Sequence, residues 1–176
     1  MSAVALSIPV IETERLILRG PNMADFEAFA AACASERARF VGGPQSRKQG
    51  WSAFLAMFGH WALRGFGMWM AEHRASGVPA GRIGMIFNDG WQEPELGWHV
   101  FDGFEGQGLA QEAARAARVH AARHQDLDRV ISYIAPDNSR SQALAKRLGA
   151  RVERDGLLND WPVQIWRHPS VLEDAA

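Results

Sequence analysis

One segment, residues 95–113, constrains the fold of this chain more than any other part of the sequence. It runs from an apolar strand pattern at 96–101 through a glycine-rich turn directly into residues 109–124. That last stretch is rich in Ala and Arg and holds neither Gly nor Pro, which predicts a long helix. A strand, a tight turn and a long helix in succession are typical of mixed α/β domains and not of bundles or sandwiches.

The remainder of the sequence extends this alternation. Strand patterns are predicted at 15–19, 66–73, 82–87, 96–101, 129–135, 150–154 and 163–166, and helices around the apolar stripes 26–33 and 51–61 and at 109–124 and 139–148. The resulting order is β-α-α-β-β-β-α-β-α-β-β, a mixed α/β fold with a central sheet of about seven strands and about four helices. No linker or repeat interrupts it, so we predict a single domain over 8–168, with flexible termini at 1–7 and 169–176.

Composition excludes several classes of protein. The 176 residues are 47% apolar and 22% charged, which suits one globular domain with a real core. The formal charge is −1 and no block of five like charges occurs, so no nucleic-acid partner is predicted. A single cysteine, Cys33, excludes an internal disulfide, and no spacing of histidines or cysteines predicts a metal site. Apolar runs are too short for a membrane span, and we predict a cytoplasmic protein with no membrane partner.

The glycine-rich turn is the first candidate for chemistry. Glycines bring bare backbone amides close to a ligand, and a helix start adds unpaired N–H groups, a combination suited to a phosphate. A plain connection between strand and helix is an equally simple interpretation. A dinucleotide-binding motif is a poor match, because Gln111 stands where its third glycine belongs and Asp126 precedes the next strand.

Several short motifs, taken together in order, resemble the GNAT superfamily of acetyl-CoA-dependent N-acetyltransferases. Within it, the chain is most similar to the branch that includes the ribosomal-protein N-terminal alanine acetyltransferases. The resemblance covers nearly the whole chain. The matching motifs are Glu14 to Arg19, Gly81 to Met85, Glu95 to Trp98, Gly106 to Ala113, Pro136 to Ser141, Arg147 to Gly149 and Ile165 to Pro169.

The resemblance implies a site for acetyl-CoA, used as a co-substrate without a metal. It implies that the backbone of Trp98, His99 and Val100 aligns the pantetheine arm, and that Asn138 and Ser141 face the same arm. Backbone amides of one loop would hold the pyrophosphate: Glu105, Gly106, Gln107, Gly108, Leu109 and Ala110. Glu105 departs from the Arg or Gln of the family pattern. A carboxylate there repels a pyrophosphate unless it turns away or pairs with a cation.

The resemblance also implies catalytic roles. Glu95 opens the fourth predicted strand, where the superfamily often places a base for the attacking amine, and a solvated carboxylate at a strand end is an equally good interpretation. The tyrosine that many members use as an acid is replaced by Ala145, and Ser141 is the substitute we predict. A serine that satisfies a helix-start amide explains Ser141 equally well, and Asn138 is predicted to cap the same helix.

The function predicted from these residues is that of an acyltransferase, which moves acetyl from acetyl-CoA to a primary amine by direct attack in a ternary complex. Two alternatives stay open. One is N-terminal acetylation of a protein, as in the ribosomal-protein branch, and the other is a non-catalytic regulatory domain that binds coenzyme A. The predicted partners are the coenzyme and an amine-bearing acceptor, either a small molecule or a protein N-terminus. A homodimer is kept open.

Overall fold

The computed structural model describes residues 6–173, which form eight strands and four α-helices around one sheet. The elements are β1 (Ile11–Glu12), β2 (Leu16–Arg19), α1 (Phe26–Ala34), α2 (Arg47–Arg64), β3 (Met68–His73), β4 (Val78–Ile86), β5 (Glu95–Val100), α3 (Leu109–His124), β6 (Ile131–Ile134), α4 (Ser139–Arg147), β7 (Arg151–Leu158) and β8 (Trp161–Arg167). A short 3₁₀ helix, Glu36–Phe40, follows α1. Residues 1–5 and 174–176, part of the predicted flexible termini, lie outside the described residues.

The sheet is mixed, with the spatial order β1-β2-β3-β4-β5-β6-β8-β7. Neighbouring strands are antiparallel except for β5 and β6, which run parallel. This confirms the predicted fold class and order of elements. The predicted count of about seven strands was one too low, because the two residues of β1 are too few to give a sequence pattern.

Side-chain caps fix where two of the helices begin. At the start of α2, Ser46 and Gln49 form the expected capping box, with each side chain bonded to the other residue's backbone. At the start of α4, the Asn138 side chain accepts a hydrogen bond from the backbone N–H of Ser141, so its predicted role as a cap is confirmed. Helix α4 therefore begins close to the end of β6, near the centre of the sheet.

The two faces of the sheet are covered by different helices. On one face, Ala113 and Ala117 of α3 pack with Leu144 of α4 against an apolar layer of strand residues. On the other face, α1 and α2 pack their aromatic side chains, including Phe29 and Phe54, onto the sheet. Successive residues of a strand alternate between the faces, so β5 presents one set of side chains to α3 and α4 and a second set to α1 and α2.

Strands β5 and β6 separate almost as soon as they meet. The two strands pair only at Glu95 and Ile131. Further along, Ser132 Oγ donates to the carbonyl oxygen of Leu96 at 2.7 Å and contacts His168 Nε2 at 2.9 Å. A side chain thus satisfies a strand carbonyl that a continuous ladder would have bonded, and the sheet is left split at its centre.

The segment after β8 is packed against the domain, contrary to the loose tail predicted for 169–176. Ser170 is buried, and its hydroxyl contacts the Asp128 carboxylate, which also accepts from the backbone N–H of Val171 at 3.0 Å. Arg118 donates to the carbonyl of Pro169 at 2.5 Å. These contacts hold residues 169–173 in place, because each gives a polar group a partner away from water.

None of the helices within residues 6–173 is both long and apolar enough to cross a membrane. In the same stretch, no three His, Cys, Asp or Glu side chains are grouped as a metal site would require.

The buried His168 predicts how stability changes with pH. Burial, together with the positive charges of Arg118 and Arg167, lowers the pKa of His168 to about 3. The unfolded chain therefore binds a proton at His168 near pH 6.5, whereas the folded chain does not. The free energy of unfolding falls as pH drops from 6.5 towards 3. We expect the wild type to lose up to about 1.4 kcal/mol per pH unit more than His168→Gln in this window. Urea unfolding at pH 7, 6 and 5 measures the difference; parallel pH curves would contradict it.

Candidate active site

The edge of β5 that faces the split carries backbone groups without a strand partner. Phe101 donates its N–H to the carbonyl of Ala80 at 2.8 Å, so the backbone of residue 101 faces β4. Strand geometry alternates, and the backbones of residues 99, 97 and 95 therefore face β4 as well. Those of Leu96, Trp98 and Val100 face away from it, into the split.

This alternation divides the three residues predicted to align the pantetheine arm. Trp98 and Val100 turn their N–H and C=O groups towards the split, beyond the last paired residue of β6. His99 does not, since its carbonyl oxygen would lie 2.6 Å from a Cβ placed on Gly81 of β4. His99 therefore drops out of the predicted set of backbone contacts, and its side chain lies on the face covered by α1 and α2.

The loop between β5 and α3 ends in an uncapped helix start. Gly108 occupies the N-cap position with φ +77° and provides no side chain to bond the first turn. The first helical hydrogen bond runs from Glu112 N–H to the Gly108 carbonyl at 3.2 Å, so the amides of residues 109–111 have no partner within the helix. Unpaired amides and the positive end of the helix dipole are features that suit an anion.

Glu105, the departure from the family pattern, pairs with an arginine from another part of the chain. Its Oε2 accepts the backbone N–H of Gly103 at 2.9 Å, and its Oε1 lies 2.5 Å from Nη2 of Arg37. The same guanidinium is 3.2 Å from the Asp102 carboxylate. Of the two conditions stated for tolerating a carboxylate here, the pairing with a cation is therefore met. Arg37 comes from the 3₁₀ helix after α1, and no sequence pattern pointed to it.

A second arginine missed by the sequence analysis lies against the loop from the other side. Arg15 donates to the carbonyl of Gln107 at 2.7 Å and pairs with Glu112 of α3 at 2.7 Å. Its Nη2 would lie 3.5 Å from a Cβ placed on Gly108. The helix start thus has a cation beside its free amides, which strengthens its attraction for a polyphosphate.

Glu95 lies on the face covered by α1 and α2, and its carboxyl is tied to the split. Oε2 accepts the backbone N–H of Tyr133 in β6 at 3.0 Å. Oε1 extends over the next residue on the same face, 3.5 Å from a Cβ placed on Gly97. Burial raises the pKa of Glu95 to about 8, partly offset by the Tyr133 hydrogen bond. Glu95 is half-buried, so its surroundings are less polar than those of the solvated carboxylate considered as the alternative.

Ser141 lies on the opposite face of β5 from Glu95, against the side chain of Trp98. The indole Nε1 of Trp98 donates to Ser141 Oγ at 3.2 Å. Because the indole is the donor, the serine hydroxyl keeps its own hydrogen to donate. Ser141 and Asn138 together begin α4 beside the split, so the two residues predicted from the helix start are brought to the same edge as Trp98.

Tyr133, the one tyrosine of the chain, lies in β6 next to Glu95. Its hydroxyl is buried and has no hydrogen-bond partner, and its ring stands edge-on to Trp91 at 5.5 Å between centroids. The two rings form an aromatic wall on the side of the split where Glu95 lies.

A family model described as an acetyltransferase (GNAT) domain matches residues 15–151 of the chain. The match includes β5, the split, the loop and both caps described above. The chain belongs to the GNAT acetyltransferases. This confirms the resemblance predicted from the motifs and assigns the protein to the acyltransferase enzymes.

Solved structures agree with this membership. An acetyltransferase from Agrobacterium tumefaciens superposes with a TM-score of 0.86 at 35% identity, over 96% of this chain and 98% of that one. A GNAT-family acetyltransferase from Bordetella pertussis superposes at 0.78 and 28% identity, over 92% and 99%. RimL, a ribosomal L7/L12 α-N-protein acetyltransferase solved with coenzyme A, superposes at 0.75 and 19% identity, over 92% and 98%. At that identity the last likeness concerns the fold.

The raised pKa of Glu95 generates a prediction about stability. Because the folded pKa of about 8 lies above the ordinary 4.5, the folded chain holds this proton more tightly than the unfolded chain does. The resulting stabilisation is complete below pH 4.5 and is lost as pH rises through 8. Relative to Glu95→Gln, we expect the wild type to lose up to about 1.4 kcal/mol per pH unit across this window. Urea unfolding from pH 5 to 9 tests this prediction. A difference in unfolding free energy between the two proteins that does not change with pH would contradict the raised pKa of Glu95.

Proposed function

We propose that this enzyme transfers the acetyl group of acetyl-CoA to a primary amine by direct attack in a ternary complex. The observation that carries the proposal is the half-buried Glu95 carboxyl, which accepts the Tyr133 N–H at the point where β5 and β6 separate. The split offers backbone groups of Trp98 and Val100 to an extended ligand on one side of this carboxyl. A base at the end of such a slot is suited to an amine that approaches from the face covered by α1 and α2, where Glu95 lies.

The residues along the split are those that acetyl-CoA requires. The amides of residues 109–111, with Arg15 beside them, suit the pyrophosphate. The open backbone of Trp98 and Val100 suits the amide-rich pantetheine arm, as an added strand would be bonded. The coenzyme supplies a thioester, an acetyl donor whose thiolate is a good leaving group.

Glu95 is proposed to take the proton from the attacking amine. An alkylamine is mostly protonated at neutral pH, so a group near the reacting nitrogen must accept a proton. Oε2 is occupied by the Tyr133 N–H, which leaves Oε1 as the accepting atom. A carboxylate with a pKa of about 8 is a stronger base than an ordinary one, and it is ionised in a growing fraction as pH rises.

Ser141 is proposed to return a proton to the departing thiolate. Its hydroxyl accepts from Trp98 and can donate in turn. It lies on the face of β5 opposite Glu95, so the base and the acid would act from the two sides of the split. The acid contributes less than the base, because a thiolate leaves readily without one.

Binding of the coenzyme is tested by calorimetric titration with acetyl-CoA and with dephospho-CoA. We expect micromolar affinity for acetyl-CoA, about −8 kcal/mol. Gly106→Asp should weaken it tenfold or more, because it adds a carboxylate to the loop. Gly77→Asp is the matched control: both glycines have similar φ, +72° and +67°, and both have no atom within 4 Å of an added Cβ. Equal affinities in the two variants would contradict the loop assignment.

Turnover tests the role of Glu95 and separates an enzyme from a domain that only binds the coenzyme. The rate constant kcat/KM for a good amine should rise with pH as a group with a pKa of about 8 ionises. Glu95→Gln should lower it about 100-fold at pH 8, the size typical of a lost general base. Glu12→Gln is the control, since this exposed glutamate pairs with Arg74 and lies in β1, at the edge of the sheet. An unchanged rate in Glu95→Gln would remove Glu95 from the mechanism.

A further inference from the structure

Arg82 is a partly buried arginine that pairs with no carboxylate. It lies in β4, at the centre of the sheet, on the face covered by α1 and α2. Its guanidinium carbon is 5.0 Å from the ring centroid of Phe29, and its Nε is inaccessible and without a hydrogen-bond partner. Within residues 6–173, no hydrogen bond or ion pair reaches the Arg82 side chain. Burial accordingly lowers the pKa of this guanidinium.

Other arginines withdrawn from solvent in the same fold are satisfied. Arg19 pairs with Asp25 at 2.8 Å and with Glu72 at 2.7 Å. Arg118 donates to the carbonyls of Leu148 at 3.0 Å and Pro169 at 2.5 Å. A polar group withdrawn from water without a partner is costly, and natural structures seldom retain one. The Nε of Arg82 is such a group, whereas the guanidinium groups of Arg19 and Arg118 are bonded.

A second unpartnered polar group lies directly across from Arg82. Residues 82 and 99 are paired between β4 and β5, so their side chains are neighbours on one face, with Cβ atoms about 5 Å apart. His99 is 8% exposed, and its Nδ1 is buried with no partner. Burial and the charges of Arg82 and Arg37 lower the pKa of His99 to about 4, so the imidazole is neutral and can donate one N–H.

The neighbouring groups do not balance the charge of Arg82. The nearby Cys33 thiol stays protonated, because burial raises its pKa. Asp102 and Glu105 both pair with Arg37, and no hydrogen bond or ion pair joins either carboxylate to Arg82. One guanidinium without a directly paired carboxylate and one free imidazole nitrogen thus lie together on the α1 side of the sheet. An anion is the ligand that would complete them, and a planar carboxylate suits a guanidinium best.

The position of this pair relative to Glu95 gives the length of the ligand. Residues 95, 97 and 99 lie on the same face of β5, and Gly97 leaves the space between the other two without a side chain. Oε1 of Glu95 already extends over Gly97. One further step of two strand residues, about 7 Å, reaches His99 and its neighbour Arg82.

We infer that Arg82 and His99 form a subsite for a carboxylate carried by the acceptor. The acceptor is then an amine whose carboxylate lies about 7 Å from the reacting nitrogen. This inference rests on the proposed function, since it takes Glu95 as the place of the amine. The same chemistry occurs in a free ω-amino acid and in a peptide N-terminus followed by an acidic side chain.

Binding of acetylated products tests the inference without requiring turnover. We would titrate N-acetyl-γ-aminobutyrate against its carboxamide, and the peptide N-acetyl-Ser-Asp-amide against N-acetyl-Ser-Asn-amide, in the calorimeter. The wild type should bind at least one acid tenfold more tightly than its neutral partner, and the pair that shows this identifies the source of the carboxylate. Arg82→Met should abolish the preference, whereas Arg82→Lys should retain part of it.

Two controls separate this subsite from other roles of an arginine. Arg64→Met removes a guanidinium that also stacks on a phenylalanine, 4.5 Å from the Phe87 ring, and it should leave the preference for acids intact. Affinity for acetyl-CoA should be equal in the wild type and in Arg82→Met. An equal loss of coenzyme affinity in Arg82→Met would assign Arg82 to the coenzyme and overturn the inference.

Thermal unfolding separates a ligand-binding role of Arg82 from a packing role, because the two roles predict opposite changes in the Tm of Arg82→Met. Without ligand, Arg82→Met should raise Tm, because it removes an unpaired, partly buried charge and keeps a side chain of similar length. A lower Tm with no preference for acids in the wild type would make Arg82 a packing residue and overturn the subsite. Acetyl transfer to amines, measured on the same samples, decides the proposed function separately: transfer that ignores the carboxylate contradicts only the subsite.

Discussion

The early separation of β5 from β6 is the constraint on which the rest of the site depends. Splitting a sheet at its centre exposes backbone groups that a ladder would have satisfied, and such groups are costly away from water. Two side chains reduce this cost: Ser132 bonds the Leu96 carbonyl, and Glu95 bonds the Tyr133 N–H. Both act at the narrow end of the split. The wider end keeps the groups of Trp98 and Val100 open, which is what an extended ligand requires.

The alternation of side chains along β5 places the candidate site residues on two different faces of the sheet. Trp98 and its partner Ser141 lie on the face of α3 and α4, whereas Glu95 and His99 lie on the face of α1 and α2. A shift of the strand by one residue would exchange the two sets, so the register of β5 against β4 is a requirement of function as well as of packing. The phosphate-binding loop follows from the same strand, because it starts where β5 ends.

Local signals predicted most of the elements and part of the site. Helix α3 spans the predicted residues 109–124, because a glycine N-cap and a run without breakers act within the segment itself. The capping role of Asn138 was predictable for the same reason. Three contacts were not: Arg37 with Glu105, Arg15 with the loop, and Asp128 with the segment after β8. Each joins residues far apart in sequence, and only the folded sheet brings them together.

The sequence also did not reveal which polar side chains are buried, and burial changes the interpretation of two residues. Glu95 follows a proline at a strand end, where a solvated carboxylate is the ordinary expectation, yet it bonds the Tyr133 amide and burial raises its pKa to about 8. Arg82 belongs to a motif that was matched to the family without any role for this residue, yet its Nε is left without a partner. A fold that satisfies Arg19 and Arg118 has the means to satisfy Arg82, so its isolation is better explained by a ligand than by imperfect packing.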